Sequence, residues 1–242
     1  DDNLIGSINN ALSTFIYEVQ GEYKYVAAFG QVNYNWANKY IANINIRRDG
    51  SSRFGPGRQF GNFGSAGLAW IASEEPFIKK ALPQWISFLK FRGSYGTTGG
   101  DGVGDYQYLS RWSINVDDYG TKLPTYGNVQ GILIKQPVNQ VYQWESTKQL
   151  EVGADLSFLE DMINLSAAYY RKRSGNQLTR IPTPSFTGFD NVVGNLDAFV
   201  QNSGFEFTAY ARIVKTNDFY FSANFKDRKS TRLNSSHANI SY

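Results

Sequence analysis

Period-two alternation is the feature that most restricts what this chain can fold into. Leu150, Val152, Ala154, Leu156 and Phe158 are apolar, and Gln149, Glu151, Gly153, Asp155 and Ser157 are interleaved with them. Ile163, Leu165 and Ala167 alternate with Asn164 and Ser166 and run into Tyr169-Tyr170. Phe205, Phe207, Ala209, Ala211 and Ile213 alternate with Glu206, Thr208, Tyr210 and Arg212, and Phe219, Phe221, Ala223 and Phe225 with Tyr220, Ser222 and Asn224. Leu89, Phe91 and Tyr95 against Lys90, Arg92 and Ser94, and Ala42, Ile44 and Ile46 against Asn43, Asn45 and Arg47, repeat the pattern. Side chains of a strand point alternately to opposite faces, so each segment has one greasy and one wet face. Strands are expected near 23–34, 39–48, 62–72, 86–96, 144–158, 162–173, 203–214 and 218–226. They run past the ~5–6 residues usual in soluble sheets, and a tilted strand crosses a bilayer in roughly 9–11.

The links between these segments alternate in length. Those near 35–38, around Glu160-Asp161 and at Lys215-Thr216-Asn217 are short, whereas 49–61, 97–143 and 174–202 are long. The link 73–85 falls on the short side and is expected to hold a helical turn around Glu75–Ala81. Tight turns on one side and long loops on the other are the layout of an outer-membrane barrel. The fold class expected is therefore all-β: an antiparallel up-and-down transmembrane β-barrel arrangement of about eight strands. A soluble extracellular β-sandwich that binds carbohydrate is the alternative, because mid-strand charges suit a solvated face as well as a water-filled lumen. Aromatic residues near segment ends (Tyr23, Tyr25, Tyr34, Trp36, Tyr40, Tyr169, Tyr170, Phe219, Phe221) suit interfacial girdles.

Composition narrows the function classes. Aromatic residues make up 16% and charged residues 19%, which argues against disorder and against a helical bundle. No stretch is long and apolar enough for a transmembrane helix. There is no cysteine, which excludes a disulfide scaffold and a thiolate metal site, and the net charge of +3 is too small to suggest a nucleic-acid partner. The first residues, Asp1-Asp2-Asn3-Leu4, carry neither an initiator Met nor a basic-then-apolar leader, so a processed chain or a piece of a longer one is expected.

The stretch from Asp227 to His237 breaks the alternation abruptly. Read back through the genetic code, it matches a common sequencing-library adapter, and Ile240-Ser241-Tyr242 matches the adapter stretch that follows a short index. Residues 227–242 are expected to be translated adapter, with 1–226 the authentic part. The single histidine, His237, falls in this tail, so a histidine-based triad or metal site has no other candidate.

Other chemistry-bearing patterns read as structure. Asp49-Gly50 is expected to open a tight turn with Gly supplying positive φ. Gly99-Gly100-Asp101-Gly102-Val103-Gly104-Asp105 occurs once, lacks a Gly-Lys-Ser/Thr ending and reads as a flexible loop rather than a calcium or phosphate site. Adjacent carboxylates at Glu74-Glu75 and Asp117-Asp118 cannot flank a glycosidic bond from one strand. Glu74-Glu75 before Pro76 reads as the start of a short helix. A β-rich glycosidase would need two carboxylates converging from different strands, and no such pair is visible. No catalytic, cofactor-binding or metal residue is assigned.

Five ordered motifs carry a family resemblance. Lys39-Tyr40 with Arg47-Arg48-Asp49-Gly50-Ser51-Ser52-Arg53-Phe54-Gly55, Gly67-Leu68-Ala69-Trp70 with Ser73-Glu74-Glu75-Pro76-Phe77, Leu89-Lys90-Phe91-Arg92-Gly93-Ser94-Tyr95-Gly96-Thr97-Thr98-Gly99, Trp144-Glu145-Ser146-Thr147-Lys148-Gln149 with Gly153-Ala154-Asp155-Leu156, and Asn202-Ser203-Gly204-Phe205-Glu206 follow one another between 39 and 206. Together they resemble the barrel domain of SusC/RagA-type TonB-linked outer-membrane receptors. Asn62-Phe63-Gly64-Ser65 and Gly100 depart locally from that pattern. The resemblance implies a Gram-negative, Bacteroidota-like outer membrane and, in the whole protein, a plug domain and about 22 strands, against which this chain is expected to be an open β-barrel fragment of about eight strands with no plug domain. It implies uptake of oligosaccharides or peptides, energised through TonB, with a SusD-type surface lipoprotein as partner and no catalysis. On that footing Tyr106, Tyr108, Trp112, Tyr119 and Tyr126 in the longest loop are the candidates for substrate contact, since aromatic faces stack on sugar rings. Lys90, Arg92, Glu151 and Asp155 are the candidates for lining the lumen.

Overall fold

The computed structural model describes residues 21–114, 124–189, 191–215 and 220–236. Eight strands form one antiparallel sheet: β1 (Tyr25–Trp36), β2 (Tyr40–Ser51), β3 (Phe60–Ile71), β4 (Ile86–Gly100), β9 (Glu145–Phe158), β10 (Ile163–Pro182), β11 (Asn191–Lys215) and β12 (Tyr220–Ser236). They lie side by side in chain order, so every neighbour is the next long strand along the chain and the sheet stays open at β1 and β12. Between β3 and β4 sit a 3-10 turn, Ala72–Glu74, and a short helix α1 (Pro76–Ala81), with Pro76 at a position that needs no N–H. Between β4 and β9 the chain adds a hairpin of β5 (Arg111–Ile114) with β8 (Ile132–Gln136), and a smaller one of β6 (Thr125–Tyr126) with β7 (Val129–Gln130).

Turn chemistry explains the tight connections. Ala37 and Asn38 both take positive φ (53° and 55°), and Lys39 N–H closes the turn onto the Trp36 carbonyl at 3.0 Å. Two left-handed central residues give the turn whose twist matches a hairpin. Leu159, Glu160 and Asp161 make the β9–β10 turn with φ of 52°, 55° and 63°. Asp49-Gly50 does not open a turn: both lie inside β2, and Gly57 (φ 79°) supplies the left-handed residue of the β2–β3 link. Gly50 is required instead for close approach, because a Cβ there would come within 2.7 Å of the Phe60 ring.

Register fixes the two faces. Lys90 is opposite Asp155, Arg92 opposite Gly153 and Ser94 opposite Glu151, and on the other side Ser166 meets Asp155 and Tyr170 meets Glu151. The polar face is thus continuous across β4, β9 and β10, joined by Asn43, Asn45 and Arg47 of β2. The opposite face carries Val32, Ile44, Ile46, Leu68, Phe91, Val152, Phe205 and Phe225. This apolar face is the uncovered one: Val32 is 64%, Ile46 66%, Leu68 69% and Phe205 66% exposed. No second sheet packs on it among the described residues, so the sandwich alternative lacks the inter-sheet core that defines it. The buried aromatic cluster lies instead where the long links gather, around Phe54, Tyr142 and Trp144.

Two hairpins are longer than the alternation suggests. The link expected at 174–202 is mostly strand, with β10 reaching Pro182 and β11 starting at Asn191. Strand β12 passes through 227–236, still paired with β11. Backbone pairing does not read side-chain identity, so this pairing is compatible with either origin of the tail.

Candidate functional site

The polar face gathers charges from two strands that are far apart in sequence. Arg92 donates to the Glu151 carboxylate and lies 3.6 Å from Asp155, while Lys90 is 4.0 Å from Asp155. Ser166 on β10 donates to the other side of Asp155 at 2.7 Å. Gly153 makes this possible. A Cβ there would sit 3.2 Å from the Arg92 guanidinium carbon and 2.9 Å from the Ala167 carbonyl, so only a bare backbone lets Arg92 lie flat between its two acids. The four expected residues Lys90, Arg92, Glu151 and Asp155 therefore form one network, two cations with two anions. Its side chains remain about a third exposed. Above it, Asn43, Asn45, Arg47, Phe63, Ser94, Thr98 and Gln149 line a concavity of about 640 Å³ on the same face.

At the long-link end, the Arg-rich motif of β2 and its turn works as a clasp. Arg53 Nε donates to Asp105 at 2.9 Å and its Nη1 to the Asp101 carbonyl at 2.9 Å, and the guanidinium lies 4.2 Å over the Tyr23 ring. Tyr23 and Ser51 both donate to the Asp101 carboxylate, at 2.8 and 3.0 Å. The hydrogen bond from Arg53 to Asp105 stabilises its charged form and raises its pKa above the ordinary value. The glycine-rich stretch is therefore tied down rather than free, and both its carboxylates are engaged by the chain itself. A parallel tie holds the other end: Tyr40 Oη donates to Glu75 at 2.7 Å and Lys39 Nζ at 3.3 Å. The Tyr40 hydrogen bond, with Lys39 adding to it, holds the Glu75 carboxyl below its usual range.

The loop aromatics separate into two kinds. Tyr108 packs on the cluster of Phe54, Tyr142 and Trp144, whose rings meet at 4.9–5.7 Å, and Phe63 joins it edge-on to Trp144 at 5.6 Å. Trp144 Nε1 donates to the Gln59 carbonyl at 3.1 Å, and Gln143 exchanges two hydrogen bonds with Asn195, at 2.9 and 2.7 Å. Burial pushes the Tyr142 hydroxyl up to about 12. Tyr106 is half-held: its Oη accepts from the Glu22 N–H at 2.8 Å and donates to the Glu22 carbonyl at 3.2 Å. Trp112 on β5 and Tyr126 at the β6–β7 tip are exposed, and they stand on different hairpins. Tyr119 lies outside the described residues. The four described residues of this set, Tyr106, Tyr108, Trp112 and Tyr126, thus stand on different parts of the loop. The sequence reading does not bring the clasp residues Arg53, Asp101 and Asp105 together: Arg53 ends the Arg-Asp-Gly-Ser-Ser-Arg motif, and the two aspartates lie in the glycine-rich stretch about fifty residues on.

The model of the TonB dependent receptor-like β-barrel matches residues 1–241. The chain belongs to this family. It is 30% identical over 220 residues to TonB-dependent receptor P3 of Formosa agariphila, covering 91% of this chain and 21% of that protein. It is 30% identical over 195 residues to TonB-dependent receptor SusC of Bacteroides thetaiotaomicron, covering 80% of this chain and 19% of that protein. The chain thus spans about a fifth of the length of the curated relatives it matches. In fold it is similar to a solved chain of the RagAB peptide importer in its open-open state, with a TM-score of 0.75 and 24% identity over 90% of this chain and 23% of that one. As a TonB-dependent receptor barrel the protein is an outer-membrane protein of the SusC/RagA type, and its exposed apolar face is explained without a missing soluble layer.

Proposed function

We propose that this chain forms part of the wall of a TonB-energised importer of oligosaccharides or peptides, with its polar face lining the lumen and its apolar face against lipid. The observation that carries the proposal is the two-faced single sheet: an uncovered apolar side backed by a charge network that includes Lys90, Arg92, Glu151 and Asp155. Hydrocarbon accepts the first face and water or a plug accepts the second. The short turns then face the periplasm, and the loop 101–144 with its exposed Trp112 and Tyr126 faces outward, beside a SusD-like lipoprotein that delivers cargo. Energy relayed through TonB displaces the plug, and no bond in the cargo is made or broken. The residues named here bind, orient and line, and none acts as nucleophile or general acid.

The test uses the full receptor in its native host. Deleting its gene is expected to abolish uptake of one labelled oligosaccharide or peptide from a panel, and loss of TonB is expected to do the same. Unchanged uptake of every panel member would overturn the proposal. For residues 227–242 the adapter origin remains our reading. Resequencing of the gene by a library without that adapter tests it, and recovery of the same codons would end it.

A further inference from the structure

The lipid side of the wall carries a second signal. Along β1–β4, β9, β10 and β11 back to Phe199, the rows on the apolar face contain Arg48, Lys148, Arg171 and Arg173 and not one carboxylate. All four cations lie toward the long-link end. Lys148 is directly opposite Arg173, and Arg171 is directly opposite Leu150, so three form a compact group across β9 and β10. Ten residues separate Phe158 from Lys148, and ten separate Ile163 from Arg173. At about 3.4 Å per residue and a tilt of about 40°, that is about 26 Å along the barrel axis, against an apolar band of about 25 Å. Lys148 and Arg173 therefore stand where the hydrocarbon ends, and Arg171 lies about 5 Å short of that edge, within reach of it by its long side chain.

Two of these cations, Lys148 and Arg173, border a cleft in which they outnumber a single carboxylate, Asp197. Ser146, Lys148, Arg173, Asn176, Asp197 and Phe199 border a hollow of about 450 Å³, and Asp197 lies beyond ion-pair distance of both cations. The Arg173 guanidinium carbon lies 3.6 Å over the centre of the Phe199 ring, and among the described residues no carboxylate pairs with it. Like charges directly opposite across a strand pair repel. Among the described residues neither Lys148 nor Arg171 has an ion-pair partner. Gly175, bare and with open space where a Cβ would stand, keeps the hollow accessible beside the bulge at Asn176.

We infer that this cleft holds the phosphate of an outer-leaflet glycolipid, clamped by Lys148 and Arg173 with Arg171 adding charge from two residues along β10, and with the lipid's chains running down past Leu150, Tyr169 and Phe205. Planar guanidinium groups match phosphate in two-point hydrogen bonds, and basic groups at headgroup height attract anionic lipid. The inference rests on the proposed orientation of the sheet.

The test is made on the full receptor purified in detergent, with lipid A as the probe. Wild type is expected to bind lipid A, and the variant Lys148→Gln/Arg171→Gln/Arg173→Gln to bind it about tenfold more weakly. The charge-keeping variant Lys148→Arg/Arg171→Lys/Arg173→Lys should retain most of the affinity. Heat-modifiable migration shows that each variant is folded. Equal binding by wild type and the Gln variant, equal binding of dephosphorylated lipid A, or full displacement by an equal concentration of inorganic phosphate would each overturn the inference. Failure of the underlying orientation would show differently, as a receptor absent from the outer-membrane fraction.

Discussion

At the residue scale, the network on the polar wall depends on what is missing at Gly153. Adding a side chain there forces Arg92 off its two acids and presses on the Ala167 carbonyl of the neighbouring strand, a contact that backbone cannot yield cheaply. Gly153→Leu in the full receptor is expected to lower stability by about 1–3 kcal/mol, read as a lower temperature of heat-modification. Gly175→Ala, where nothing stands within 4 Å, is the matched control and should change little beyond its backbone preference. Glu75 makes a pH argument at the same scale. Its folded pKa is depressed, first by the Tyr40 hydroxyl and then by Lys39, below an unfolded value of about 4.3. The contribution is then fully present above about pH 4.3 and is lost as pH falls through the lower folded value. Heat-modification measured from about pH 6 down to about pH 3 should fall less steeply for Glu75→Gln than for wild type. Parallel curves would show that Glu75 carries no such linkage.

At the element scale, the long loop is held by an aromatic core more than by its own strands. Phe54 from the β2–β3 link and Tyr142 and Trp144 from the return into β9 are all buried, and Trp144 also closes on Gln59. Trp144→Ala removes the ring that touches both Phe54 and Phe63, a loss of about 3–5 kcal/mol for a buried Trp. Because the barrel ladders do not pass through this cluster, the loss should appear as protease cleavage between 101 and 144 with the strands intact. Cleavage as slow as in wild type would remove the cluster as the loop's anchor. The strands themselves were legible because greasy and wet residues alternate through 144–158 and 162–173. The upper part of the β10–β11 hairpin was not, because the register shift between Gly175 and Gln177 sets two steps of β10 against three of β11, from Phe199 to Leu196, and breaks the common alternation of the two strands. Lys90, Arg92, Glu151 and Asp155 could each be placed on a polar face from alternation. Their meeting could not, since it needs β4 to pair with β9 across a link of more than forty residues. Tyr108 read as an exposed platform for the same reason: its partner rings arrive from distant links.

At the scale of the whole molecule, the decisive quantity is the backbone left open at the two edges. In the family the sheet closes into a barrel, whereas among the described residues β1 and β12 each have one side without a partner. A twelve-residue edge strand points about half of its N–H and C=O groups away from its neighbour, on the order of a dozen groups. Each costs several kcal/mol in hydrocarbon, so the edges outweigh what burying the apolar face in lipid returns. In water the balance also fails, because Val32, Ile46, Leu68 and Phe205 would all stand in solvent. Residues 1–226 expressed alone and sent to the outer membrane are therefore expected to give aggregated, protease-sensitive material with no heat-modifiable band. A membrane-resident, heat-modifiable species from that segment would mean that it closes its own edges, by curling β1 onto β12 or by pairing with a second copy. Cross-linking Asn33 to residues of β12, within or between chains, would tell those two closures apart.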